Sequence, residues 1–234
     1  MVTIGSSPRI LGPAFLLQAV TSLISGLILS EVMIVPGNTI VSMTNIAKNS
    51  TPVTASMLGD LVTAAGIIFL GIILFVTLKG QNKGMARVAL GLYVLEAAIL
   101  AASRIAGIFL VGISQQYVTT GHPASLLTMG SLALELMNSG YTLALVPFGL
   151  GAILFYYLLY RSRIISRALS LWGLVTVPLV FVAALSTLSG YNGLTPLNYP
   201  YAPFEFVIGA WILVKGIRKA PEAQQKIPNE AEPL

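Results

Sequence analysis

Glu96 and Arg104 stand eight residues apart inside an apolar run from Val88 to about Ser114. On a helix that separation is just over two turns, so both project from one face, ~12 Å apart along the axis. The run is long enough to cross a bilayer. Ionisable groups in such a segment are costly unless they turn toward a protein interior or a cavity. A carboxylate at that depth can be kept neutral by burial or take part in a proton relay. Tyr93, Leu100, Ser103 and Gly107 share the face at three- and four-residue spacing.

Three further acids fall at comparable depth. Glu31 closes the first apolar run, Asp60 opens the second and Glu205 opens the last. Asp60 and Glu205 are expected in the first turns of their helices, where a carboxylate meets the positive end of the dipole. Glu31 is expected at a helix C-terminus, where the dipole opposes it and a cationic partner is needed. Arg104 is the cation at that depth, so a salt bridge from Arg104 to Glu31, Glu96 or Asp60 is expected. Glu31, Asp60, Glu96, Arg104 and Glu205 thus form the candidate binding set. A structural clamp between spans one and three would satisfy several of them equally well. Gln18, Ser22 and Ser25 form a stripe read as close helix packing, and Glu135 is read as facing water.

Composition sets the class. The 234 residues are 56% hydrophobic and 9% charged, with a mean hydropathy of +0.85, whereas a soluble domain carries about 25% charged residues. Lipid must therefore be the solvent. The absence of cysteine excludes disulfides, thiolate nucleophiles and thiolate metal sites. His122 is the one histidine, which rules out a bis-histidine haem or a three-histidine centre within one chain. His122 could meet a metal with Glu135, but a loop histidine beside a proline reads more simply as solvated. No cofactor or metal is expected. The net charge of +5 reads as loop asymmetry, so no nucleic-acid partner is expected.

Six spans position these residues: Ile10 to Ile34, Met57 to Leu78, Val88 to about Ile113, Gly140 to Tyr160, Ile165 to Ser186, and Ala202 to Val214. The expected fold is an all-α polytopic bundle of six transmembrane helices in the plasma membrane. Arg9, Lys79, Lys83, Arg87, Arg161, Arg163, Arg167, Lys215, Arg218, Lys219 and Lys226, 11 of 13 basic residues, fall on one side. The positive-inside rule then places both termini in the cytoplasm. Ser125 to Tyr160 as one straight helix would be ~54 Å long, too much for a ~30 Å core. Asn138-Ser139-Gly140 offers a break, so Ser125 to Met137 is expected as a short helix at the outer interface between spans three and four. The first span is read as a retained helix, its apolar run being too long for a cleaved leader. Residues 1–219 form the membrane domain and 220–234 a disordered cytoplasmic tail. Leu70 to Phe75 and Leu150 to Phe155 match at an offset of 80, as in a duplicated hairpin of the kind found in some transporters. Trp172, Trp211 and the tyrosines between Phe155 and Tyr160 are read as interface anchors.

Several segments in order resemble a bacterial and archaeal membrane family, domain-of-unknown-function family 4386. They are Glu31-Val32-Met33-Ile34-Val35-Pro36-Gly37 with Thr44-Asn45-Ile46-Ala47, then Gly59-Asp60-Leu61 and Leu95-Glu96-Ala97-Ala98. Pro147-Phe148-Gly149-Leu150, Tyr160-Arg161-Ser162, Phe204-Glu205 and Ala210-Trp211-Ile212-Leu213-Val214-Lys215-Gly216 follow. The resemblance spans nearly the whole chain except the polar tail. It implies a six-helix membrane protein with no established activity, and acids at the positions of Glu31, Asp60, Glu96 and Glu205. The family pattern favours an arginine three residues before the acid of span three, where this chain has Tyr93.

The expected function is binding or transport of a small solute or ion through an outward-facing polar pocket. The alternatives are a non-catalytic subunit of a larger membrane complex and, third, a membrane-embedded hydrolase using two carboxylates. No Gly-x-Ser-x-Gly, phosphate-cradling loop or dinucleotide fingerprint is present, so an enzyme is not the leading reading. The expected partners are the lipid bilayer, a small solute or ion, and a membrane-protein partner or second copy of the chain.

Overall fold

In the computed structural model, residues 7–27 and 33–217 are described; Glu31 and the tail from 220 onward lie outside them. Seven α-helices and one 3-10 segment make up the described residues, with no strand. They are α1 (Ser7–Leu27), α2 (Thr39–Lys48), α3 (Ser50–Leu78), α4 (Lys83–Thr119), α5 (Ala124–Ser162), α6 (Arg167–Leu188) and α7 (Ala202–Lys215). The 3-10 segment, Asn192–Asn198, sits between α6 and α7.

Local chemistry fixes the ends. The side chains of Asn38 and Asn82 accept from the backbone N–H of Val41 and Met85, each at 3.0 Å, and so cap α2 and α4. Arg163, left-handed at φ 56°, stops α5, and Gly216 at φ 69° stops α7. Five helices, α1, α3, α4, α5 and α6, are long and apolar enough to cross a membrane. α7, with 14 residues, is only ~21 Å long.

The expected break at Asn138-Ser139-Gly140 is not there: α5 is one helix of 39 residues, ~58 Å long. Gly140 is instead a contact point. A Cβ built on it would lie 2.6 Å from Cβ of Ser103, so its bare backbone lets α5 approach α4. α4 also runs long, 37 residues. Where the C-terminal half of α4 meets the first turns of α5, both are covered by α2, which the sequence did not announce, and by the first turns of α3. A second core forms there around Met43, Ile46, Val53, Met57, Leu110, Tyr117 and Met137. Of the apolar residues that suggested an interfacial helix, Ala133 and Met137 are buried there and Leu126, Leu127 and Leu134 partly so, while Met129, Leu132 and Leu136 stay exposed.

The six long elements close into a ring in the order α7, α1, α3, α4, α5, α6, with α6 meeting α7 lightly and carrying the 3-10 segment. Their termini alternate, so Lys79, Lys83, Arg163, Arg167 and Lys215 gather at one end of the bundle. The outer surface is apolar: Val88, Ile105, Phe109 and Leu171 are each more than half exposed. Gly71 and Gly151, equivalent in the suggested duplication, both abut Tyr93 of α4. In a repeated hairpin Gly151 would face α6 instead, so the shared motif reflects packing on one tyrosine.

Where α1 meets α7 the backbones touch. A Cβ on Gly12 would lie 2.8 Å from the amide nitrogen of Leu213 and 2.9 Å from the carbonyl oxygen of Gly209. Gly12→Ala is therefore expected to cost about 1–3 kcal/mol, read as a lower midpoint of thermal unfolding in detergent. Gly130→Ala is expected to cost less, because its neighbour is the flexible thioether of Met43.

Candidate binding site

Asp60 is the eleventh residue of α3, because the helix starts at Ser50 rather than at Met57. It is therefore beyond reach of the helix dipole, which falls off within the first turn. Arg104 takes its place as the stabilising charge: Nε lies 2.6 Å from Oδ2 of Asp60, with both side chains buried. Of the two expected partners of Arg104 that lie among the described residues, Asp60 and Glu96, it pairs with Asp60. The guanidinium also stands over the ring of Tyr141, 5.6 Å from its centroid. Arg104 and Asp60 tie α3 to α4, and Tyr141 brings in α5.

Glu205 does sit in the first turn of its helix, and the dipole argument holds for it. It has further partners. Its Oε1 accepts from Nε2 of Gln18 at 3.1 Å and from the hydroxyl of Tyr201 at 2.9 Å. The hydroxyls of Tyr201 and Tyr156 lie 3.0 Å apart. Tyr201 spends its hydrogen on Glu205, so Tyr156 donates to Tyr201. A relay of three side chains results, from Tyr156 through Tyr201 to Glu205.

Glu96 is left without such support. It is 6% exposed, and its Oε2 has no hydrogen-bond partner among the described residues. The other carboxylate lining the same cavity is Glu205. Arg104, on the same face of α4, is spent on Asp60. A buried acceptor with nothing to accept is expensive.

Two cavities run through these residues. The central one, ≈ 270 Å³, is lined by Gln18 of α1, Ile67 of α3, Glu96 and Leu100 of α4, Tyr141 and Phe148 of α5, Val180 of α6, and Tyr201 and Glu205 at the start of α7. Every helix of the ring contributes. The second, ≈ 340 Å³, holds Asp60 and Arg104 with Met137 and Asn138. Ser22 and Tyr141 line both. A third, ≈ 280 Å³, lies between α1 and α7 and also reaches Glu205, past Leu23 and Phe206.

The candidate set is thus divided. Asp60 and Arg104 form a paired unit beside one cavity, Glu96 and Glu205 line another, and Glu31 is outside the described residues. Gln18, Tyr141, Tyr156 and Tyr201 complete the site and were not singled out as site residues. Gln18 carried a signal, being an amide deep in an apolar helix. Tyr156 did not: it looked like an interface anchor, yet it is fully buried among Phe204 and Tyr201. Tyr93 is also buried, against Phe148 and Phe155. His122 is exposed at the turn before α5, and Glu135, exposed on α5, is ~16 Å along that helix. The two do not meet. Among the described residues, no three His, Asp or Glu side chains converge as metal ligands would.

The family model described as "Domain of unknown function (DUF4386)" matches residues 10–216. No curated protein matches the chain, and no solved structure does.

Proposed function

This chain belongs to the DUF4386 family, and from that premise we propose that it binds a small solute or ion in the central cavity, as the first step of moving it across the plasma membrane. The observation that carries this reading is Glu96: a buried carboxylate oxygen without a partner, in the wall of a cavity to which every helix of the ring contributes. Asp60 is balanced by the charge of Arg104, whereas no ion pair among the described residues reaches Glu96. An unmatched acid makes sense where a ligand supplies the missing donor.

Six crossings with both termini in the cytoplasm form the second part of the proposal. Support comes from the gathering of basic residues at one end of the bundle. The central cavity then opens toward the outside, near the 3-10 segment.

Because the chain has no cysteine, each introduced thiol reports alone. On intact cells, Ala144→Cys in the cavity wall and Tyr199→Cys at its mouth are expected to react with a small membrane-impermeant thiol reagent. Lys79→Cys and Arg163→Cys are expected to react only after permeabilisation. The reverse pattern would overturn the orientation. A folded Ala144→Cys variant that reacts from neither side would overturn the open pocket.

A further inference from the structure

We infer that the central cavity takes a small protonated amine with an apolar body, its ammonium group bound between Glu96, Glu205 and Asn198. This rests on the reading of that cavity as a binding site and names its ligand class.

Charge is the first ground. The lining contains two carboxylates and no lysine, arginine or histidine. Arg104 is held by Asp60 in the neighbouring cavity. An anion entering here would meet two acids and no cation, whereas a cation would relieve the repulsion between them. The second ground is hydrogen bonding. Two buried oxygens of this lining lack partners among the described residues, Oε2 of Glu96 and Oδ1 of Asn198. Both are acceptors, so the missing group is a donor, and an ammonium brings up to three N–H bonds.

The walls decide the rest of the molecule. Ile67, Leu100 and Val180 offer no hydrogen bonds, and Tyr141, Phe148 and Tyr199 present aromatic surface. A bare calcium-like ion would need six to eight oxygens converging on one point, and among the described residues no three His, Asp or Glu side chains converge. An alkylammonium fits both halves, its nitrogen on the acids and its carbon against rings that attract cations. At ≈ 270 Å³ the space falls just under the range of ~300–1,000 Å³ for drug-sized ligands, which suits an amine of a few carbons. The cavity between α1 and α7 that also reaches Glu205 can accept a longer alkyl tail.

The test uses the full chain in lipid nanodiscs and the Ala144→Cys thiol as reporter. Butylammonium is expected to slow thiol labelling at lower concentration than butyltrimethylammonium, butanol, butyrate or sodium. Direct calorimetric titration is expected to show the same order. Glu96→Gln and Glu205→Gln are each expected to weaken butylammonium binding at least tenfold, with unchanged helical content and elution volume. Labelling that butyrate, butanol or sodium slows as well as butylammonium would overturn the amine while leaving the pocket standing. Equal protection by butyltrimethylammonium would overturn the hydrogen-bonding argument, and so the protonated amine. An introduced thiol that never reacts in a folded protein would overturn the inference together with the pocket.

Discussion

Replacing Arg104 with methionine is expected to destabilise the bundle by about 3–5 kcal/mol, the cost of leaving one member of a buried ion pair alone. Methionine keeps much of the length of the side chain, so the loss is mainly that of the charge facing Asp60, now 2.6 Å from Nε. The double variant Arg104→Met with Asp60→Asn is expected to recover most of that loss, because neither residue then carries a buried charge. Chemical or thermal unfolding in one detergent checks this directly. A double variant as unstable as the single one would contradict the pairing. The ion pair lines a cavity adjoining the one that holds Glu96, so the double variant is also expected to keep its ligand. That result would separate the clamp, which holds α3 to α4, from the binding chemistry.

Glu96→Leu is expected to act in the opposite direction on stability and to abolish binding. The native carboxylate is buried with an oxygen that accepts from nothing among the described residues. Leucine of similar bulk removes that penalty, and a gain of about 1–3 kcal/mol is expected. Glu205→Leu is expected to behave otherwise, because it strands the donors of Gln18 and Tyr201 that now meet Oε1. Rising stability with vanishing binding is the mark of a residue kept for function at the expense of the fold. Unfolding midpoints of the two variants, measured beside butylammonium titrations, check the contrast. A Glu96→Leu protein that is less stable than the parent would mean that Glu96 has a structural partner.

The polar residues announced where the interior lies before they announced their partners. Hydropathy alone implied a lipid solvent, and Glu96 and Arg104, eight apart on one helix, located the face turned inward. Both are indeed buried. Partner choice was less legible, because it depends on how neighbouring helices are staggered. Starting α3 at Ser50 rather than Met57 carried Asp60 out of its first turn and opposite Arg104. The continuity of α5 was hidden for a related reason. Asn138-Ser139-Gly140 reads as a break in isolation, but Gly140 is the point where α5 closes on Ser103. A length argument based on the bilayer could not foresee that α2 and the ends of α3, α4 and α5 build a second core. Tyr156 shows the same limit: a tyrosine in an aromatic cluster near a helix end looks like an interface anchor until its hydroxyl is seen to meet Tyr201.

The central claim is that Glu96 and Glu205 hold a small ligand in a cavity at the middle of the ring. Native mass spectrometry of the parent chain and of the Glu96→Gln, Glu205→Gln double variant, each extracted gently from its own membrane, tests it most directly. A reproducible adduct with the mass of a small amine is expected on the parent, and its loss from the double variant. Identical spectra for the two proteins, bare or held in an assembly with other subunits, would contradict it.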